Sequence, residues 1–381
     1  MIKYTVKPTI TIKDFYHVFN SFFEGEGDLG ADVLSKYFPG STFMYLNYAR
    51  SAMIHVIKSI GLEGKEILVP AFICKELADV FIETQTKPVF VDADLETFNM
   101  DLGLIPELIT KDTAAIIAAH TFGNPVDIKE LLKIKDEYGL AVIEDCAHAL
   151  GGKYGDRYLG SFGDVSVFSV YKFFPTVKGG FLVINNPEID IDPVQRGEKL
   201  TPSDVARFIY SFDLIHKLLP GIKEKGHELL YTEIPVARPN KFIKMLISCH
   251  LKDIDSEREK RHSLSLLYEA HLKDSNIRFQ KLAGNSRVSR LNFPVLLPPE
   301  LRDHVFNGMI GKGVLCDRLW HDAIVFSEKI KRAYRLDINK YPNAVFLSKS
   351  MLNLPLQPNY TEGDIEYVAS NLKDLCTPDS S

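Results

Sequence analysis

A lysine stands between two strand-like stretches of the sequence. In FSVYKFFPTVKGGFLVIN, Lys172 follows one apolar run, and Gly179 and Gly180 precede the next. Most lysines in such connections are solvated loop residues. A lysine at the end of a strand can also project into a cleft, where its amine serves as a base or a nucleophile. Other polar residues near strand ends decide between these two interpretations.

An acidic residue and a helix start are the other chemical groups of interest. The apolar segment AVIED ends in Asp145, and His148 follows three residues later. Taken alone, such an acid is as often a helix cap as a functional group. Arg50 and Ser51 lie where a helix is expected to begin, so free backbone amides and the helix dipole favour an anion there. Ser51 as a plain N-cap is the alternative.

These groups together match the requirements of one cofactor. Ser169 lies three residues before Lys172, also near a strand end. Pyridoxal phosphate needs a lysine for its Schiff base, a carboxylate that keeps its pyridine nitrogen protonated, and an anion site for its phosphate. Metal binding by the Asp, Cys and His of EDCAH is a weaker alternative, because no fourth ligand follows at a suitable spacing.

Strand-like and helical segments alternate from about residue 50 to residue 185. Asp127 and Glu130 have capping-box spacing before a helix that ends at Gly139. The alternation predicts an α/β fold with a parallel sheet, helices on both faces and ligands beyond the carboxyl ends of the strands. The last two strand segments follow each other closely, so at least one of them is expected to be antiparallel. Strands are predicted at 66–70, 87–94, 114–123, 141–145, 165–170 and 180–185, and helices at 51–62 and 74–85.

The remainder of the chain predicts a second, smaller domain. A long charged helix is expected to begin near Phe242 and to run through 253–274, followed by further strand and helix segments. We therefore predict a large domain over residues 1–245 and a small C-terminal α/β domain over residues 246–381. The 381 residues are sufficient for two such cores.

The composition is that of an ordinary globular protein, with 45% hydrophobic and 25% charged residues. A net charge of -5 offers no electrostatic basis for binding nucleic acid or an anionic membrane. The five cysteines are odd in number, scattered and without a CxxC pair, which favours reduced thiols in a cytoplasm over disulfides or structural zinc. The first residues include no apolar h-region, so no signal peptide is expected.

Four segments of the sequence form a recognisable series: KPVFVDADLETFNMD, AAHTFGNPVDIKELLKIKDEYGLAVIEDCAHALGGKY, LGSFGDVSVFS and LNLPLQPNYTEGDIEYV. Through these segments and their order, the chain resembles over about residues 45–375 the DegT/DnrJ/EryC1/StrS family of sugar aminotransferases, which are fold type I pyridoxal-phosphate enzymes. The resemblance implies that family's fold: a large domain with a mostly parallel sheet and a smaller C-terminal α/β domain.

The resemblance also implies a role for each candidate residue. Lys172 is the expected Schiff-base lysine, since it precedes a Gly-Gly pair by the family's spacing of seven residues. The expected cofactor-binding residues are Asp145 at the pyridine nitrogen, His148 near the ring, Ser169, Arg50 and Ser51 at the phosphate, and Cys74 in place of the usual stacking aromatic.

The sequence departs from the family pattern at several of these positions. Lys172 follows its serine by three residues where most members have five. Cys74 cannot stack on a ring, so support for the ring is expected from Phe72 or elsewhere. Asn240 is an imperfect candidate for the asparagine that usually reaches the phosphate from a second subunit. Lys178 is expected to be an ordinary loop lysine or a phosphate contact.

The expected activity is pyridoxal-phosphate-dependent amination of a keto sugar, most often nucleotide-linked in this family, with glutamate as amino donor. A cytoplasmic homodimer with its active site at the interface is expected. One alternative is a sugar dehydratase on the same scaffold, which Lys172 argues against because those relatives carry histidine there. The other is a non-catalytic regulatory or binding relative. Trp320 and His321 could touch a substrate, although core or surface positions are the preferred interpretation.

Overall fold

The computed structural model of the chain describes Tyr4, residues 31–210 and residues 235–377. Its helices are α1 Ala31–Tyr37, α2 Ala49–Ser59, α3 Leu77–Glu83, α4 Ile105–Leu108, α5 Ile128–Tyr138, α6 Pro202–Tyr210, α7 Lys241–Leu251, α8 Ile254–Leu272, α9 Pro299–Gly311, α10 Glu328–Tyr334, α11 Pro342–Ser350 and α12 Glu362–Cys376. Its strands are β1 Thr42–Leu46, β2 Glu66–Pro70, β3 Lys87–Val91, β4 Thr113–Ala119, β5 Ala141–Asp145, β6 Lys153–Tyr154, β7 Arg157–Tyr158, β8 Val165–Ser169, β9 Gly180–Ile184, β10 Arg278–Phe279, β11 Ser286–Arg287, β12 Phe293–Leu296 and β13 Met351–Leu354.

Seven strands form the main sheet, in the order β1-β9-β8-β5-β4-β2-β3. Neighbouring strands are parallel except at β9, which runs antiparallel to both β1 and β8. The predicted parallel sheet with an antiparallel strand near its end is therefore confirmed, and β2 and β5 have the predicted bounds. The reversal between β8 and β9 is the connection that contains Lys172.

Helices cover both faces of this sheet because the strand residues alternate between two apolar cores. On one face, Ile117 and Val167 pack in a core with α2 residues such as Val56. On the other face, Ile116 and Val142 pack with α5 residues that include Leu131. Burial on both faces is what the continuous apolar strands predicted.

Helix α5 begins and ends at the residues that the sequence indicated. The Asp127 carboxylate accepts hydrogen bonds from the backbone amides of Lys129 at 3.1 Å and Glu130 at 3.2 Å. Gly139 follows the helix with a φ of 64°, a left-handed conformation that glycine adopts without strain. The Asp127 half of the predicted capping box is present. The Glu130 side chain accepts from Lys133 Nζ.

The C-terminal part contains a three-stranded antiparallel sheet, in the order β10-β12-β13. The prediction of one long helix from Phe242 is wrong, since α7 ends at Leu251 and α8 begins at Ile254. Asp253, at φ -99° and ψ 6°, lies outside the helical region. The break allows Ile254 to pack closely on Gly151, where an added Cβ would lie 2.5 Å from the isoleucine side chain. The predicted domain division at residue 245 falls inside α7 and stays a prediction.

Tyr4 joins this C-terminal core although it lies near the start of the sequence. Its amide donates to the Gly313 carbonyl at 3.2 Å, and its carbonyl accepts from Leu315 at 3.0 Å. Its hydroxyl donates to the Asp364 carboxylate at 2.9 Å. None of the helices in the described ranges is long and apolar enough to cross a membrane.

Glu144 is a buried carboxylate in the middle of the fold. One oxygen is 2.9 Å from His120 Nε2, and the two oxygens accept from the backbone amides of Gly160, Phe162 and Gly163 at 2.5–2.9 Å. Burial acts to raise the pKa of Glu144, but the bonds from His120 and the glycine amides outweigh it and lower that pKa. Glu144 therefore fixes the loop that leads into β8.

We expect Glu144→Gln to lower the free energy of unfolding by about 2–4 kcal/mol, because the NH2 group that replaces one carboxylate oxygen cannot accept from the buried backbone amides. Urea denaturation at pH 7 measures the change. The exposed Glu137→Gln is the matched control and should change stability by less than about 0.5 kcal/mol. A Glu144→Gln variant as stable as this control would contradict the anchoring role.

Candidate active site

Lys172 lies at the reversal between β8 and β9. A 3₁₀ turn over Val170–Lys172 follows β8, and the Val170 amide donates to the Gly179 carbonyl at 3.0 Å. Ser169 lies opposite Gly180 in the strand register. Phe173 is buried next to Lys172, whereas Lys172 itself is half-buried. The turn is thus fixed by an apolar core while its lysine faces a partly open site.

Asp145 ends β5, the strand beside β8. Its Oδ1 accepts from the Ala147 amide at 3.0 Å. Burial raises the pKa of Asp145, and the charge of Lys172 opposes that rise. The two side chains therefore lie within electrostatic range of each other, as the position of both at carboxyl ends of neighbouring strands predicted.

His148 is buried beside the same lysine. Burial first, and the Lys172 charge second, hold the pKa of His148 well below its usual range, so the imidazole is neutral at pH 7. Its ring stacks on Phe122 at 5.6 Å and on Trp320 at 4.9 Å between ring centroids. Its Nδ1 has no hydrogen-bond partner among the described residues. A neutral imidazole with an unpaired nitrogen is suited to bind a ligand by a hydrogen bond.

Cys74, in the loop after β2, also lies within electrostatic range of Lys172. Its Sγ donates to the Glu76 carboxylate at 2.6 Å. Burial and the Glu76 charge raise the pKa of Cys74 to about 12, although the Lys172 charge opposes them. Phe72, the expected alternative support for a ring, presents T-shaped contacts to Phe122 and Trp320. Lys172, Asp145, His148 and Cys74 are thus brought together.

The start of α2 lies beside this group. Tyr48 is the N-cap, and the Ser51 hydroxyl donates to the Pro235 carbonyl at 3.2 Å, so the interpretation of Ser51 as a plain N-cap is wrong. The Ala52 amide makes a helical bond to Tyr48, which leaves the amides of residues 49–51 without partners inside the helix. The Tyr48 ring contacts the edge of Tyr171, next to Lys172, at 6.3 Å.

A glycine permits the close approach of α2 to the strand pair. A Cβ on Gly180 would lie 2.4 Å from the Phe168 carbonyl and 3.1 Å from the Ala49 amide. Ser169 shares its sheet face with Val167, which packs in the α2 core, and its Oγ is buried without a hydrogen-bond partner among the described residues. We call the amides of residues 49–51, the Ser169 hydroxyl and the Gly180 backbone the anion cradle.

Two further expectations are corrected or refined by the structure. Lys178 is not an ordinary loop lysine, since it is buried with Nζ 2.5 Å from Glu198 and 3.1 Å from Asp204, and its contact with a phosphate stays a prediction. Asn240 caps α7, since its Oδ1 accepts from the Ile243 amide at 3.1 Å. The reach of Asn240 to a phosphate in a second subunit stays a prediction.

The metal hypothesis is not supported by the contacts of EDCAH. Within the described ranges, the ligand atoms that come close together belong to His120, Glu144 and Cys146 rather than to Asp145 and His148. The Glu144 oxygens are already occupied by hydrogen bonds, and His120 Nδ1 accepts from the Val126 amide at 3.3 Å. This cluster is therefore a satisfied polar core.

Trp320 is a site residue that sequence analysis placed in the core or on the surface. It is half-buried, has a φ of 61° and stacks on His148 and Phe122. The Ile324 amide donates to the Ile73 carbonyl at 2.8 Å, which holds this segment beside the Cys74 loop. Its neighbour His321 is exposed, with Nδ1 2.9 Å from the Arg318 carbonyl. The only signal in the sequence was that this is the single tryptophan of the chain and that a histidine follows it. Its contact with His148 could not be predicted, because the two residues are far apart in sequence.

Comparison with known proteins agrees with this arrangement. The sequence model of the DegT/DnrJ/EryC1/StrS aminotransferase family matches residues 34–193 and 242–373. The chain belongs to this family. One relative is the dTDP-4-amino-4,6-dideoxy-D-glucose transaminase of Shigella dysenteriae, 27% identical over 86% of this chain and 84% of that protein.

Two solved structures show the same fold. Spr1654 from Streptococcus pneumoniae, in its PMP form, has a TM-score of 0.78 at 20% identity and covers 99% of both chains. The GDP-4-keto-6-deoxy-D-mannose-3-dehydratase of E. coli, with bound hydrated PLP, has a TM-score of 0.77 at 19% identity, covering 98% of this chain and 100% of the other. The fold type I assignment is therefore confirmed.

We expect the Cys74 thiol to react slowly with iodoacetamide. With a pKa of about 12 its thiolate fraction at pH 8 is small, so alkylation should be on the order of a thousandfold slower than that of glutathione. Peptide mapping after timed quenching measures the rate. Glu76→Gln should speed the reaction by removing a negative neighbour. Alkylation of Cys74 at the glutathione rate would contradict the described environment.

We expect Asp145→Asn to stabilise the cofactor-free protein at pH 7. Because burial raises the folded-state pKa of Asp145, its ionisation disfavours the folded state. This penalty is absent below the unfolded-state pKa, grows as pH rises from that value to the folded-state pKa, and is constant above it. Thermal unfolding should give a higher Tm for the variant at pH 7 and equal values near pH 3. A lower Tm at pH 7 would show that Asp145 has a stabilising partner instead.

Proposed function

We propose that this chain is an aminotransferase that converts a nucleotide-linked keto sugar into an amino sugar, with glutamate as the amino donor. Pyridoxal 5′-phosphate is the cofactor, and the chain's family is one of sugar aminotransferases. The observation that supports the proposal most is the electrostatic effect of Lys172 on Asp145, His148 and Cys74 at the carboxyl edge of the sheet. A cytoplasmic homodimer with its active site at the interface is part of the same proposal.

The residues present fit this cofactor. The anion cradle offers the first amides of α2 to a phosphate, together with the buried Ser169 hydroxyl, which has no hydrogen-bond partner among the described residues. Asp145 offers a carboxylate to a protonated pyridine nitrogen, and such a cation would offset the burial that raises the pKa of Asp145. Lys172, whose charge acts on Asp145, offers the amine for the covalent link. Arg50, as the second residue of α2, adds its amide to the cradle.

When bound, pyridoxal phosphate supplies an electron sink that allows an amino group to pass from a donor to a ketone. In the proposed reaction the Lys172 amine acts as a general base that takes a proton from the substrate carbon bearing the amino group, and then as a general acid that gives the proton back. Asp145 would hold the pyridine nitrogen of the cofactor by its negative charge and so favour the protonated form of that nitrogen. His148, being neutral, donates or accepts a hydrogen bond without adding a second positive charge beside Lys172.

The surrounding rings line the site and are expected to exclude water from it. His148 stacks on Phe122 and Trp320, and Phe72 makes T-shaped contacts with both of these rings. Exclusion of water strengthens the interaction of Asp145 with an opposing cation, because charges interact more strongly at a low dielectric. This shielding is the expected contribution of the C-terminal segment around Trp320.

A sugar dehydratase is the alternative activity, since one of the structures that share the fold is such an enzyme. The resemblance assigns histidine to the lysine position in those relatives, and this chain has Lys172 there. A non-catalytic regulatory role is disfavoured by the electrostatic effect of Lys172 on Asp145. It is also disfavoured by Ser169 Oγ and His148 Nδ1, which are buried without hydrogen-bond partners in the described part of the chain.

We expect the holoenzyme to have a visible absorption band that borohydride abolishes, with the reduced label on Lys172 in peptide maps. Lys172→Ala should lose the band and at least about a thousandfold in kcat, because the covalent link and the proton carrier are removed together. Lys58→Ala, on the outer surface of α2, is the control and should retain both.

The reaction assay uses a nucleotide-linked 4-keto-6-deoxy hexose with glutamate. Formation of 2-oxoglutarate together with an amino sugar supports the proposed activity, whereas a deoxy sugar without 2-oxoglutarate formation would identify a dehydratase. A label on Lys178, or a wild-type protein that takes up no pyridoxal phosphate, would overturn the assignment of Lys172.

A further inference from the structure

A buried cluster of charges adjoins the anion cradle and has no part in the proposed reaction. Lys178 Nζ is 2.5 Å from Glu198 Oε2 and 3.1 Å from Asp204 Oδ2. Lys178 and Asp204 are buried, and the Glu198 side chain is 17% exposed. Buried charges of this kind are costly unless they are paired, so their position calls for a reason beyond stability.

The Glu198 carboxylate connects the two sides of the cradle. Its Oε1 accepts from Asn47 Nδ2 at 2.7 Å, while its Oε2 contacts Lys178. Asn47 immediately precedes Tyr48, the N-cap of α2. Lys178 immediately precedes Gly179 and Gly180. The Glu198 carboxylate therefore connects Asn47, which lies just before α2, to Lys178, which lies just before the two glycines.

The bridge extends the link between β1 and β9 beyond the end of their hydrogen-bonded pairing. The pairing of these two strands ends with Leu46 opposite Gly180. Asn47 directly follows Leu46, and Lys178 lies two residues before Gly180. A phosphate held between the two segments needs donors at nearly fixed separations, because charge-assisted hydrogen bonds are short and directional.

Glu198 is itself held in place by its own segment. Its amide donates to the Arg238 carbonyl at 3.0 Å, and the Arg238 amide donates to the Arg196 carbonyl at 2.8 Å. Asp204 exchanges two hydrogen bonds with Thr201 at 3.1 Å each, at the start of α6. The bridge is therefore anchored rather than a chance surface pair.

We propose that Glu198, together with Asn47 and Lys178, is a positioning residue that fixes the width of the anion cradle and so its affinity for the cofactor phosphate. That the bound anion is the cofactor phosphate rests on the proposed function, whereas the contacts of Glu198 with Asn47 and Lys178 do not. Glu198→Gln is the sharpest variant, since it keeps the shape and turns a donor toward the Lys178 ammonium. Lys178→Met removes the positive charge that contacts Glu198, whereas Lys178→Arg keeps a positive charge there and should preserve the bridge.

The first measurement is hydrogen exchange in the cofactor-free protein. Glu198→Gln and Lys178→Met should speed the exchange of the amides in peptides covering 45–52 and 176–182 by about tenfold or more. Lys135→Met is the matched control: it breaks a 2.6 Å ion pair with Asp164 at the opposite end of β8 and should leave both peptides unchanged.

The second measurement compares the dissociation constants of pyridoxal phosphate and pyridoxal, which differ only in the phosphate. Both bridge variants should bind pyridoxal phosphate about tenfold or more weakly and pyridoxal as the wild type does, with kcat at saturation within about twofold. Lys178→Arg should bind both as the wild type does.

An equal change for the two ligands together with unchanged exchange would overturn the bridge as a positioning device. A wild-type protein that binds neither ligand would overturn the proposed function instead. In that case the exchange measurement, which uses no ligand, still decides whether Glu198 fixes the cradle.

Discussion

The close backbone approach at Gly180 is the constraint on which the site depends. Three segments meet there: the end of β8, the start of β9 and the first turn of α2. A side chain at this position would collide with the Phe168 carbonyl and crowd the Ala49 amide. Because the position is glycine, the helix start lies against the strand pair, and Ser169 and the turn that contains Lys172 lie beside it.

Two adjacent carboxylates in β5 show how the fold separates stability from chemistry. Successive strand residues point to opposite faces, so Glu144 and Asp145 have different surroundings. Glu144 is saturated with hydrogen bonds and has a lowered pKa, whereas Asp145 has a raised pKa beside Lys172. The first carboxylate holds the scaffold, and the second retains the electrostatic capacity that a catalytic group needs.

Much of the scaffold could be predicted because its signals are local. The apolar run of β5, the Asp127 cap and Gly139 each depend on neighbouring residues, and the structure agrees with them. The proximity of Lys172 and Asp145 also followed from a general rule, since both lie at carboxyl ends of strands in one sheet. The roles of these residues in catalysis came from the family resemblance and stay predictions.

The features that sequence analysis missed all depend on distant partners. The break between α7 and α8 follows from packing of Ile254 on Gly151, and the ion pairs of Lys178 require Glu198 and Asp204. Trp320 reaches His148 from a segment far along the chain. Periodicity and capping rules contain no information about such contacts, so a lysine beside a glycine pair was expected to be a loop residue.

The position of Tyr4 has a consequence for synthesis of the chain on the ribosome. Its backbone is hydrogen-bonded to Gly313 and Leu315, and its hydroxyl donates to Asp364. At about 5–20 residues per second, roughly 20–70 s separate the synthesis of Tyr4 from that of Asp364. The C-terminal core therefore closes around its first tyrosine last, after the strands that present Lys172 and Asp145 have left the ribosome.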